Sequence, residues 1–264
     1  MRRALAGCLA LSVSAPPLGV FLVLRRMSLM SDVLQHGVLP GIALGAAVGG
    51  LSVWAMGTGG MIAGLAVALL AGWFARRTGL GEDSQLAGLY LVALAAGVAM
   101  VSAQRGVDLT HLLFGSVLAV DNTALLAMAG AATLTLPMLA VIWRPMVLES
   151  LDPGFPTVGG GVWHGCFLAL VVLCVVSGFE ALGTLMSVGL MMLPAISARH
   201  WCGSLAGQVS VAVALAIAAS VGGLLISFNV EIPAGPAIVL TAGAIWVVSL
   251  LAGPREGLLR AHNG

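Results

Sequence analysis

Nine runs of apolar residues, most close to a bilayer's depth in length, follow one another along this chain with little soluble sequence between them. They fall at approximately 4–24, 28–52, 56–75, 86–104, 123–143, 163–179, 182–200, 206–227 and 235–252, separated by arginine, acidic residues or Pro/Gly punctuation. About 20 apolar residues cross the ~30 Å hydrocarbon core of a membrane as a helix. Inside that core only helices or closed barrels satisfy their own backbone. The pattern predicts an all-α, polytopic transmembrane helical bundle of eight to nine spans, one domain over residues 1–264. Glu180 interrupts the stretch 163–200, which reads as two short or broken helices, or as one span plus a re-entrant piece.

Composition then narrows the function. Charged residues make up 8% of the chain and hydrophobic ones 60%, against about a quarter charged in soluble domains. This argues against a soluble globule, a disordered chain and a disulfide scaffold. Eleven basic against ten acidic residues leave no basic field for nucleic acid. Every basic residue is an arginine. Without lysine the loop GxxxxGK[ST] cannot exist, so if ATP drives this chain, another subunit holds the nucleotide. Cys8, Cys166, Cys174 and Cys202 lie in or beside apolar runs with no CxxC, and read as small buried hydrophobes.

Arginine also sets orientation, because cytoplasmic loops are enriched in it. With the loop at 25–27 inside, Arg25, Arg26, Arg76, Arg77, Arg144, Arg199, Arg255 and Arg260 fall inside, and Arg2, Arg3 and Arg105 outside. The C-terminus is then cytoplasmic. The N-terminus is outside if all nine spans are real and inside if one is not; Arg2-Arg3 favours the inside. Met1-Arg2-Arg3 before an apolar run resembles a secretory signal, but no A-x-A site interrupts the run through Pro16-Pro17 to Leu24, so a retained span fits better.

Asp32 and His36 are the sharpest chemical feature. Four residues apart, they stack on one helix face. If the second span begins just after Arg26, Asp32 lies roughly 9 Å and His36 roughly 15 Å along the helix axis. An Asp at a bilayer midplane costs about 2.5–3.5 kcal/mol on the translocon scale, so such residues face a cavity or a partner. An imidazole and a carboxylate suit a first-row divalent cation, with zinc, manganese and iron all admissible. The other reading is structural. If the span starts later, Asp32 is a first-turn acid stabilised by the helix dipole, and His36 is a packed polar residue. Pro40-Gly41 follows at once, where ion-pathway helices often break.

Other polar residues read more plainly. Glu180 is either an acid at an outer helix end or a gate. Glu231 precedes Pro233 as a loop or cap residue, and Asp108 and His111 sit in an outer loop near 105–122. His164 beside Trp163 and His200 beside Trp201 read as interfacial belt residues. Met191-Met192 reads as apolar packing. The longest hydrophilic segment, roughly 144–162, contains Ser150-Leu151-Asp152-Pro153, a helix-start signal.

The stretch from Phe21 to Gly41, with Arg25-Arg26-Met27-Ser28-Leu29-Met30-Ser31-Asp32-Val33-Leu34-Gln35-His36-Gly37-Val38-Leu39-Pro40, resembles the "RRMSLMGDALSHAVLPG" signature of the metal-type ABC transporter permeases. Ser31 stands for the usual Gly, and Gln35-His36-Gly37 for Ser-His-Ala. Further segments agree in order: 113–120 with "LFG-x-LLAV", 151–155 with "FDPEF", 188–199 with "VALLVLPAATAR" and 231–240 with "DLPPGATIVL". The resemblance covers roughly residues 5–252. It implies the membrane subunit of a zinc, manganese or iron importer in the bacterial cytoplasmic (inner) membrane, working as a homodimer or paired permease. It also implies a cytoplasmic ATP-binding subunit docking at Asp152, Pro153 and Phe155, and an extracytoplasmic metal-binding protein that delivers the ion. Asp32 and His36 match the family's intramembrane metal residues, and no permanent cofactor is expected. Gly154 and Pro156 depart from the docking pattern, and Glu180 stands where a neutral Gln is common.

The sequence thus points to a transport subunit rather than an enzyme, with Asp32 and His36 holding the ion and Glu180 and Pro40 as gate or pathway residues. The rivals are a permease for a siderophore or haem chelate, a proton-coupled carrier using the same pair as a relay, and an intramembrane hydrolase with His36 as base.

Overall fold

A computed structural model describes residues 2–28, 30–50, 52–78, 82–103, 121–151, 160–230 and 232–255. Among them the chain forms only helices: α1 (Arg2–Leu24), α2 (Met30–Gly37), α3 (Leu39–Gly49), α4 (Val53–Thr78), α5 (Glu82–Ala103), α6 (Asn122–Leu151), α7 (Gly160–Leu182), α8 (Thr184–Trp201), α9 (Leu205–Val230) and α10 (Ala234–Ala252). Seven of these, α1, α4, α5, α6, α7, α9 and α10, are long and apolar enough to cross a membrane.

Where the sequence expects one span over 28–52, the described residues form two short helices, α2 and α3, that meet at Val38, whose backbone stays helical with its N–H bonded to the Leu34 carbonyl and its carbonyl to the Ile42 N–H. The cause is Pro40, in the first turn of α3. Proline has no N–H, so the carbonyl of His36 loses the donor it would have four residues on. Two further boundaries move. α6 continues through Arg144 and Pro145 to Leu151, beyond the expected end at 143. The stretch 163–200 resolves into α7 and α8 with a break at Gly183, whose φ of 88° only glycine adopts readily.

α1 is the axis of the molecule. Its membrane-crossing window is 72% buried, against 17% for α5. It packs against α6, α7, α8 and α9, with α10 laid over α8 and α9. Polar glue joins two of these helices: Ser12 Oγ lies 2.8 Å from Ser220 Oγ and donates to the Ala216 carbonyl at 3.3 Å. Hydroxyls serve this way in membranes because lipid offers them nothing.

α2 and α3 are held between α4, α5 and α7. Gly41 and Gly45, four apart on α3, make the contact with α4. A Cβ on Gly41 would sit 2.1 Å from the Gly59 carbonyl oxygen, and one on Gly45 would sit 2.2 Å from that of Ala55. The two backbones therefore touch directly, the small-xxx-small arrangement of membrane helices.

The ends of the bundle sort by charge. Val23, Leu24, Arg199, Cys202, Gly203, Gln208 and Arg255 line one cleft, and Arg25 meets Glu149, Ser150 and His164 at the same end. By the positive-inside rule this is the cytoplasmic end. Gly7 of α1 faces Met128 and Leu125, early in α6, which puts the start of α1 at the other end of the bundle.

Candidate functional site

The site residues lie on α2, a helix of eight residues that is amphipathic in the literal sense. Met30, Ser31, Leu34, Gln35 and Gly37 are buried, while Asp32 opens outward. His36 Nε2 lies 3.9 Å from Asp32 Oδ1, the two side chains being 24% and 56% exposed. That gap is too long for a hydrogen bond. It is within the reach of one cation about 2.1 Å from each donor. Asp32 sits in the first turn of α2, as the structural reading expected, yet it faces the same open side as His36.

The imidazole is held from α5. Its ring lies 5.6 Å from that of Tyr90, tilted by 54°. Tyr90 is the only tyrosine in the chain, and its solitary placement in an apolar span was the available clue to its role. Gly97, also on α5, gives the approach: a Cβ there would come within 2.7 Å of Leu39 and 3.1 Å of the Pro40 nitrogen. Small size at Gly97 thus lets α5 close on the break between α2 and α3.

Three buried polar atoms on α2 have no hydrogen-bond partner among the described residues: Ser31 Oγ, Gln35 Nε2 and His36 Nδ1. Each such atom costs about 1–3 kcal/mol when left unsatisfied, and water or an ion is the usual occupant. Ser31 and Gln35, 0% and 1% exposed, are two of the positions where the chain departs from the permease signature. They stack four apart on the buried face.

Around this pair the donor set stays small. No group of three or more His, Cys, Asp or Glu side chains comes together among the described residues. Two side chains do not fill the coordination of a first-row cation, so further donors have to be water, backbone or a second chain.

The remaining expected residues scatter. Pro40 is where expected, in the first turn of α3. Glu180 belongs to the last turn of α7, close to Gly183, at a helix end as its plainer reading held. Asp152, Pro153 and Phe155 lie outside the described residues, as do Asp108, His111 and Glu231. His164, expected at the membrane interface, also has protein partners: its Nδ1 lies 2.8 Å from Arg25 Nη1 and 3.8 Å from Glu149 Oε1.

A broken, polar half-helix inside a bundle of apolar spans defines a class, the membrane subunits that pass a small charged solute. The chain belongs to the ABC 3 transport family, whose model matches residues 1–253. It is 30% identical to the manganese import system permease protein ScaB of Streptococcus gordonii, covering 98% of this chain and 94% of that one. It is 27% identical to the manganese transport system membrane protein MntC of Halalkalibacterium halodurans, over 99% and 90%. The chelated iron transport system membrane protein YfeD of Yersinia pestis is 29% identical over 95% and 84%. In structure the chain is similar to PsaBC from Streptococcus pneumoniae in complex with Fab, with a TM-score of 0.85, 28% identity, and 99% and 95% of the two chains covered.

Proposed function

We propose that this chain is the permease subunit of an ATP-driven importer for a divalent first-row metal ion, with manganese the first cargo. The observation that carries the reading is the Asp32–His36 pair, set 3.9 Å apart on the short helix that precedes Pro40. A carboxylate and an imidazole replace part of the ion's water as it enters. With only two side-chain donors, release stays easy, as a conducting site requires. Completion by water oxygens favours a hard cation such as manganese over softer ones. The names of ScaB and MntC support that cargo, and the name of YfeD keeps iron in view.

In this reading the peptide chain crosses the bilayer nine times. α2 and α3 together make one crossing and the buried α8 another, beside the seven long helices. Two permeases, identical or paired, form the path. An ATP-binding subunit docks on the segment holding Asp152, Pro153 and Phe155, which joins α6 to α7 at the arginine-rich end. A metal-binding protein delivers the ion at the opposite end. Glu180 and Pro40 are the gate or pathway residues of this reading.

A second reading, passage of an intact metal chelate, draws on YfeD's name. Purified transporter with its ATPase and binding protein, in proteoliposomes, separates them. Metal-loaded binding protein is expected to stimulate ATP hydrolysis, with manganese, iron and zinc compared. Stimulation by a chelate alone favours the second reading. No stimulation by any of them contradicts both.

A further inference from the structure

Arg25 stands at the meeting point of three helix ends. Its Nη2 lies 2.7 Å from Glu149 Oε2, near the end of α6. Its Nε donates to Ser150 Oγ at 3.3 Å. Its Nη1 lies 2.8 Å from His164 Nδ1, near the start of α7, and its guanidinium rides over the Phe167 ring at 5.4 Å. Arg25 is only 8% exposed. The planar five-donor fork of arginine is the one cationic side chain that reaches three such partners at once.

Backbone hydrogen bonds close the corner next to Arg25. The Met27 N–H donates to the Leu22 carbonyl at 2.9 Å and the Arg26 N–H to that of Val23 at 3.1 Å. Those two bonds make a Schellman motif. Its left-handed position, usually glycine, is Arg26 with φ 61°. A non-glycine residue persists there only where its surroundings over-determine the backbone. The Met30 N–H bonds back to the Met27 carbonyl at 3.0 Å, and α2 starts there. Hydrogen bonds thus tie the corner at Arg25 to the first residue of α2.

We propose that Arg25 is the positioning residue that couples the ATPase to the metal helix. It ties the end of α6 and the start of α7, the two ends that flank the proposed docking segment, to the corner from which α2 projects. Displacement of those ends by the nucleotide cycle is carried through the Arg25 fork to Asp32 and His36. Glu149 and His164 serve as its two anchors; Ser150 fixes its plane. The cleft beside it, 360 Å³, is lined by Leu24, Arg26 and Met27 as well as the anchors. This inference rests on the reading of the chain as an ATP-driven permease.

The test is the ratio of metal ions taken up to ATP hydrolysed, in proteoliposomes holding the complete transporter and its binding protein. Arg25→Gln, Arg25→Lys and Glu149→Gln are compared with wild type, with assembly checked by co-purification of the ATPase. Assembled variants are expected to hydrolyse ATP at near wild-type rates and to lose at least about tenfold in ions per ATP. The charge swap R25E/E149R is expected to recover part of that loss. A wild-type ratio in the assembled variants overturns the proposal. So does failure of all three to assemble, which makes the cluster a folding element. A wild-type transporter without metal-stimulated hydrolysis refutes the permease reading instead, so the two failures are distinct.

Discussion

The imidazole of His36 leans on the phenol ring of Tyr90, with centroids 5.6 Å apart and planes at 54°. The contact crosses from α2 to α5 and restricts how the histidine can turn. Residues that orient a metal-binding histidine commonly matter 10- to 100-fold in affinity. Tyr90→Ala is expected to weaken manganese binding by about tenfold, read by isothermal titration of the purified chain. Tyr90→Phe keeps the ring and is expected to stay near wild type. Equal losses in both would move the role from the ring to the hydroxyl.

Close backbone contact between α3 and α4 has a sharp signature. A Cβ at Gly41 would meet the Gly59 carbonyl at 2.1 Å, whereas one at Gly88 meets nothing within 4 Å. Gly41→Ala is therefore expected to destabilise the protein by about 1–3 kcal/mol. Gly88→Ala is expected to be neutral or slightly stabilising, because alanine favours the helix. Thermal unfolding in detergent compares the two directly.

The corner after α1 carries a left-handed arginine. Left-handed backbone costs a non-glycine residue about 1–2 kcal/mol. Arg26→Gly relieves that cost, less the added freedom of glycine in the unfolded chain. The substitution is expected to slow hydrogen exchange at the Met27 amide, which closes the motif on Leu22. Faster exchange would mean that the arginine side chain itself holds the corner.

Asp121 caps α6 from the exposed end. Its carboxylate accepts from the Thr123 hydroxyl and from the Thr123 backbone N–H. Those bonds, with a smaller contribution from Arg3, hold its pKa below the ordinary carboxylate value. A carboxyl whose pKa is lower when folded binds fewer protons there than when unfolded. Its contribution is then present above the unfolded pKa, near 3.9, and fades as pH falls through the lowered folded value. Protection of the first turn of α6 is expected to drop in Asp121→Ala at neutral pH. The gap between variant and wild type is expected to close in acid.

Much of the fold was legible because a bilayer fixes helix length and composition together. Each apolar run reappears as a helix or a broken pair, from α1 to α10. Local signals failed where long-range partners decide. Arg144 read as the end of a span, yet α6 carries it inside the helix, since arginine can lay its stem along apolar surface and reach for the headgroups. Pro40 marked the loosened point, but not that α2 would be a separate half-helix. His164 read as a belt residue because Trp163 is its neighbour in sequence. Its partner Arg25 is 139 residues away, and nothing local announces such a pairing. The candidate site was legible as Asp32 and His36, because helical spacing alone brings them together. Tyr90 and the buried Ser31 and Gln35 were not, because their meaning depends on what packs against α2.

The most direct measurement is ATP-driven uptake of radiolabelled manganese into proteoliposomes by wild type, Asp32→Ala and His36→Ala, each assembled with the ATPase and the binding protein. If the pair carries the ion, both variants assemble normally and lose manganese uptake by at least about tenfold, equivalent to some 1.4 kcal/mol at the site. Wild-type uptake in both variants would contradict the account.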